Sequence, residues 1–241
     1  MSSIFQNISP SSFFNFTFLP QYWQYFLQAL EYTLLLAVIS VLLAIPPALV
    51  LALMRLSRHK WLNVLASAYI AVYRSTPLLV QLAIIFYGLF GVIDVPRIVI
   101  FGFIDLSRFI PGVVALALNS SAYVAEIFRA GILAVDPGQN EAARSLGLSK
   151  GQSMRLVVLP QAIKNVLPAL ANEMVTMVKE SSICSTLGMV ELMFAAKTVA
   201  TTTYINMGPY VFAALAYFAI NYPATKGIEA IERRMSRGDK R

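Results

Sequence analysis

An all-α, polytopic membrane protein is the fold class this sequence predicts, and three observations predict it. Apolar residues make up 58% of the 241 residues and charged residues only 13%, too greasy a balance for a soluble domain of this size. Apolar runs of the roughly 20 residues needed to cross a bilayer recur along the chain. The cations gather in alternate connections between those runs, as the positive-inside rule requires. A net charge of +7 would point a soluble protein toward nucleic acid; here the placement of the cations accounts for it, and no nucleic-acid partner is expected.

Taken in order, residues 1–26 read as an extracytoplasmic or interfacial arm, rich in Ser, Asn, Phe and Pro and with no charge in the first 20. No basic n-region precedes the first apolar run, so that run is expected to be retained as a span. The transmembrane domain is expected over residues 27–226, with about five spans. The first runs from about Leu27 to Met54, and Pro46-Pro47 should break or kink it. Arg55, Arg58, His59 and Lys60 make a basic turn, in which His59 is a solvated neighbour of the cations. Trp61 to Phe90 is too long for one simple span. Its first half places Leu62, Leu65, Tyr69, Val72 and Tyr73 on one stripe and enters obliquely, and Pro77 bends it before the inward run to Gly91.

A short mixed-charge loop, Asp94 to Arg108, leads to a third span over about Pro111–Phe128. A polar stretch, residues 136–160, separates it from a fourth span over about Asn165–Leu187. Gly188 to Asn206, with Glu191 and Lys197, reads as an amphipathic helix on the outer surface. Pro209 to Pro223 is the core of the fifth span, and residues 227–241 form a basic tail. Arg129, Arg144, Lys150, Arg155 and Lys164, the Arg55–Lys60 turn, and Lys226 with the tail then lie on one side, with Arg97, Arg108 and Lys197 on the other. The asymmetry puts the tail and the 136–160 stretch in the cytoplasm, and five spans put the N-terminus outside.

The 136–160 stretch is what a merely embedded protein would not need. Asp136 is a candidate N-cap, with Pro137 at the first helical position and Gln139 three residues on; Gly147 can end that helix in a left-handed conformation. Ser149 with Gln152 repeats the capping pattern for a second helix, about Lys150 to Leu159, which Leu159-Pro160 should end. Ala142, Ala143, Leu146 and Gly147 give the corner a small apolar surface flanked by Glu141 and Arg144, shaped to dock in another protein's groove.

Glu141-Ala142-Ala143, Gly147, Val157 and Leu159-Pro160 resemble, in type and spacing, the EAA loop of ABC-importer permeases. Tyr73 to Gln81 and Asn119 to Ile132 are similar to motifs of the polar amino acid branch, and the resemblance runs from about Ala29 to Arg234. It implies the type I ABC-importer fold and a permease subunit of an ATP-driven amino acid importer in the bacterial inner membrane. Glu141, Ala142, Ala143, Gly147, Leu159 and Pro160 become the residues expected to couple the spans to an ATPase. The implied partners are two ATP-binding subunits, a second copy or a homologous permease, an extracytoplasmic amino-acid-binding protein and membrane lipids. The chain carries no G-x-x-x-x-G-K-[ST] loop, so ATP and Mg²⁺ would be bound by the partner subunits and no cofactor by this one. No HExxH, G-x-S-x-G or Cys/His cluster suggests an enzyme, and the single Cys184 suggests no metal. An ion-gradient-driven secondary transporter or channel is the alternative, against which the docking loop argues.

The polar residues that apolar segments have least reason to hold are Asn119, Glu126, Glu173, Lys179 and Glu180. They are the expected solute pathway. A carboxylate would meet the ammonium of an amino acid, and Lys179 or Asn119 its carboxylate. The excess of carboxylates favours a neutral or basic side chain over an acidic one.

Overall fold

The computed structural model describes residues 14–238, so the start of the expected N-terminal arm and the last three residues of the tail lie outside the described residues. Helix α1, Leu19–Arg55, already begins inside the expected arm, eight residues before Leu27. It is one continuous helix with Pro46 and Pro47 inside it, so the prolines do not end it. Each proline removes one N–H from the ladder, and in a helix packed among neighbours that loss is tolerated. The buried stripe of α1 is built largely from small residues, Ala29, Ala37, Ala44, Ala48 and Ala52, which let a second backbone approach closely.

Helix α2, Lys60–Ser75, and α3, Leu78–Ala83, which continues as a π-helical turn over Ile84–Leu89, meet at 106° across Thr76-Pro77. The expected bend is therefore present. Gln81 holds it: its side-chain amide donates to the carbonyl of Tyr73 (2.8 Å) and to Thr76 Oγ1 (2.8 Å). The Asp94–Arg108 loop contains a short antiparallel hairpin, β1 (Val99–Ile100) and β2 (Ile104–Asp105), turning through Phe101 and Gly102 at positive φ. Asp105 caps the next helix, accepting from the Ser107 amide at 3.0 Å. Burial pushes its carboxyl up, but Ser107, Arg97 and Arg108 outweigh that and hold it below the usual carboxylate range.

Helix α4, Leu106–Leu133, packs along α1 and is the centre of the molecule. After it come α5 (Pro137–Ser145), α6 (Lys150–Ser153), a π-helical turn (Met154–Val158) and α7 (Leu159–Glu180), which tightens to a 3₁₀ helix over Ser181–Leu187. Leu159-Pro160 does not end a helix, contrary to expectation, because Lys150–Leu187 runs on as one. The reason is the π turn, in which the Leu159 N–H reaches Met154 O. The wider turn admits Pro160, which has no N–H to place and sits in the first turn of α7.

Gly188 then closes α7 at φ 74°, and Arg108 Nη1 donates to the carbonyls of Leu187 (2.9 Å) and Gly188 (3.0 Å). Helix α8, Leu192–Thr203, leaves at 47°. Its Leu192, Ala195, Ala196 and Val199 are buried with Phe18, Phe26 and Ala29, while Lys197 is exposed. Glu191, expected on an outer amphipathic surface, is fully buried instead. It caps α8, accepting from the amides of Met193 (2.8 Å) and Phe194 (2.7 Å) and from the Tyr217 hydroxyl (2.9 Å). A buried carboxylate is tolerable when donors saturate it. Helix α9, Gly208–Gly238, continues through Pro223.

By length and composition α1 and α4 can each cross a membrane alone, and the two bent pairs, α2 with α3 and α7 with α8, reach that standard together. Helix α9 falls short of it among the described residues; its apolar part, residues 209–223, stops before Lys226.

Candidate functional site: a capped corner and a polar cleft

Two regions gather the chemistry. The first is the corner between α5 and α6, where local sequence dictates the geometry. Asp136 Oδ1 accepts from the Gly138 amide at 2.7 Å, with Pro137 at the first helical position. At the other end the amides of Gly147 and Leu148 return to the carbonyls of Arg144 (3.0 Å) and Ala143 (3.2 Å), which requires Gly147 at φ 87°. Ser149 and Gln152 then form a reciprocal capping box. Two side-chain bonds cross-brace the helices: Ser153 Oγ donates to Asn140 Oδ1 at 2.6 Å, and Gln161 Nε2 donates to Gln139 Oε1 at 3.3 Å.

The expected coupling residues divide between the two faces of this corner. Glu141 and Ala142 are exposed, and Leu146 beside them is 84% exposed. Ala143 faces inward and is buried, so it supports the corner from behind. Leu159 and Pro160 lie past the π turn, at the root of α7. An isolated, rigid, largely exposed corner with a leucine at its tip is suited to receiving or delivering a push, because its own hydrogen bonds are already closed.

The second region is a cleft of about 450 Å³ between α2, α4 and α7, lined by Arg74, Tyr123, Glu126, Asn165 and Glu173 among others. Glu173 accepts a hydrogen bond from Ser120 Oγ at 2.7 Å, and the Arg74 guanidinium lies 5.4 Å from the centre of the Tyr123 ring. Of the five expected pathway residues, only Glu126 and Glu173 meet here. Lys179, on another face of α7, opens onto a separate groove with Tyr217, Asn221 and Lys226. Asn119 is buried and donates to Gln81 Oε1 at 2.7 Å, the same Gln81 that holds the bend at Pro77. Glu180 is half-buried near the end of α7, outside the cleft. The cleft's cation is Arg74, which the sequence did not single out. Its signal was its position two residues before the Thr76-Pro77 break.

The chain is similar along most of its length to known proteins. Residues 44–237 match the family model described as binding-protein-dependent transport system inner membrane component. The chain is 38% identical over 215 residues to the arginine transport system permease protein ArtQ of Bacillus subtilis, covering 89% of this chain and 94% of that protein. It is 40% identical over 203 residues to the octopine transport system permease protein OccM of Rhizobium radiobacter, covering 83% and 82%. The crystal structure of an amino acid ABC transporter with histidines superposes with a TM-score of 0.80 at 46% identity, over 90% of this chain and 96% of that one. The inward-facing MetNI methionine ABC transporter shares the fold, at TM-score 0.65 and 17% identity over 88% of this chain and 98% of that one.

Proposed function

The chain belongs to the family of binding-protein-dependent transport system inner membrane components, and on that premise we propose that it forms the solute path of an ATP-driven importer of polar amino acids. Membership removes the ion-gradient-driven carrier as an alternative. The observation that carries the reading is the corner, whose exposed Glu141, Ala142 and Leu146 stand on a frame closed by Asp136, Gly147 and the Ser149–Gln152 box. ATP and Mg²⁺ belong to two separate subunits that receive this corner on the cytoplasmic side. A second copy or a homologous permease completes the membrane assembly, and an external binding protein delivers the solute. The C-terminus is cytoplasmic and the N-terminus outside, as the cation distribution favours.

ATP binding can drive the spans from one state to the other only if the partner subunits prefer one position of the corner, since equal affinity shifts nothing. The rigid corner converts that preference into displacement of α4 and α7, which flank it in sequence and line the cleft. Within the cleft the Arg74 guanidinium suits the α-carboxylate of an amino acid, and the Glu173 carboxylate, steadied by Ser120, suits its ammonium. A relative named for arginine transport supports a basic side chain.

The test separates binding from drive. In the reconstituted transporter, Glu173→Gln and Arg74→Gln should lower uptake and at least one should change the order in which amino acids compete. ATP hydrolysis by the same complexes should persist. Unaltered rate and competition in both variants would move the solute path elsewhere.

A further inference from the structure

Glu126 lines the cleft, yet its carboxylate is already engaged. Oε2 accepts from Arg129 Nε at 3.0 Å and lies 2.9 Å from its Nη2, within α4 itself, while Oε1 faces Arg55 Nε at 3.4 Å as an ion pair without a hydrogen bond between the two atoms. Arg55 is the last residue of α1, and its Nη1 donates to Ser67 Oγ and to Asn63 Oδ1 on α2. Asn63 returns a bond from Nδ2 to the Arg55 carbonyl at 2.7 Å, so the end of α1 is closed by α2. One acid on α4 thus holds the end of α1, and through Arg55 the start of α2, in a single polar knot. Its three charged side chains are only 19% to 30% exposed.

The knot's position gives it consequence. Glu126 is two turns from the end of α4 at Leu133, about 10 Å along the axis. Only Ala134 and Val135 separate that end from Asp136, the cap of the corner. A displacement entering from the corner therefore reaches α4 beside Glu126 before it reaches the middle of the membrane. The Glu126–Arg55 pair is a single, partly buried ion pair between helices, and fixing register is the best-attested role of such charges.

We propose that Glu126 is a positioning residue that makes the corner-side ends of α1, α2 and α4 one moving body, so that the push on the corner is shared among three helices. The inference rests on the importer reading above. Its test is the number of solutes carried per ATP by the complete transporter in proteoliposomes. E126Q and R55Q should each lower that ratio about fivefold, the low end of site-to-site couplings, while hydrolysis continues. The double variant should be no worse than the more damaging single one, because both break the same link. KM and the competition order among amino acids should not move, as they would for a solute contact. R55K retains the charge for membrane insertion but lacks the fork, and its ratio should fall in the same direction. An unchanged ratio, multiplicative losses in the double variant, or a shifted KM would each overturn the proposal. Those results leave the wild-type transporter active, whereas absence of ATP-dependent uptake by the wild type would sink the importer reading itself.

Discussion

Replacing Gly147 by Ala isolates one backbone angle at the docking corner. A Cβ built there meets nothing within 4 Å, so the change carries no steric cost inside the chain. The cost lies in φ, which is +87° and closes the Leu148-to-Ala143 and Gly147-to-Arg144 hydrogen bonds. A side chain in the left-handed region costs about 1–2 kcal/mol, and at 1.4 kcal/mol per factor of ten that lowers the equilibrium constant for closing the corner roughly 5- to 30-fold. Asn brings a larger side chain but tolerates this conformation. Uptake by proteoliposomes, normalised to inserted protein, should therefore fall severely in Gly147→Ala and recover in large part in Gly147→Asn. If Asn were as damaging as Ala, the defect would come from bulk pressed against a partner and the backbone reasoning would be refuted. Normal uptake in Gly147→Ala would show that the corner does not need its left-handed closure.

Two further outcomes follow from packing and caps. Gly131 lets α4 and α7 touch: a Cβ there would lie 2.4 Å from Val166 Cγ2 and 3.3 Å from the Ala162 carbonyl. Gly131→Ala should cost about 1–3 kcal/mol as overpacking, seen as a lower melting temperature in detergent, and Val166→Ala in the same chain should restore much of it; a lack of rescue would show that Val166 is not the obstacle. Glu191→Ala removes the acceptor of two α8 amides and of the Tyr217 hydroxyl. The expected loss is about 2 kcal/mol, or about 4–8 °C in melting temperature for a chain of this size, with Glu191→Gln intermediate; an unchanged melt in Glu191→Ala would remove Glu191 as the cap.

What the sequence determined by itself were the caps and turns built from neighbours a few residues apart. Asp136 before Pro137, the left-handed Gly147 and the Ser149–Gln152 box all appear in the structure as their spacing implied, because a cap is built from amides within three residues of it. The bend at Pro77 is equally local. Helical class and membrane residence follow from composition and run length, which need no partner to be counted.

Tertiary structure alone decided which polar groups meet. Asn119 and Glu126 lie seven residues apart on one face of α4, yet their different depths bring Asn119 to Gln81 at the bend and Glu126 to Arg55 at the end of α1. Lys179 and Glu173 share a helix, but only Glu173 faces the cleft that Arg74 completes from α2. Glu191 reads as surface because it is charged, and it is buried because α1 and α9 close over the start of α8, where α9 adds the Tyr217 hydroxyl to the two amides of its own segment. Pro160 reads as a helix end and lies inside one, because a π turn widened the ladder ahead of it. In each case the deciding quantity is a helix's rotation and depth against its neighbours. That is fixed by packing between residues tens of positions apart, which no local pattern records.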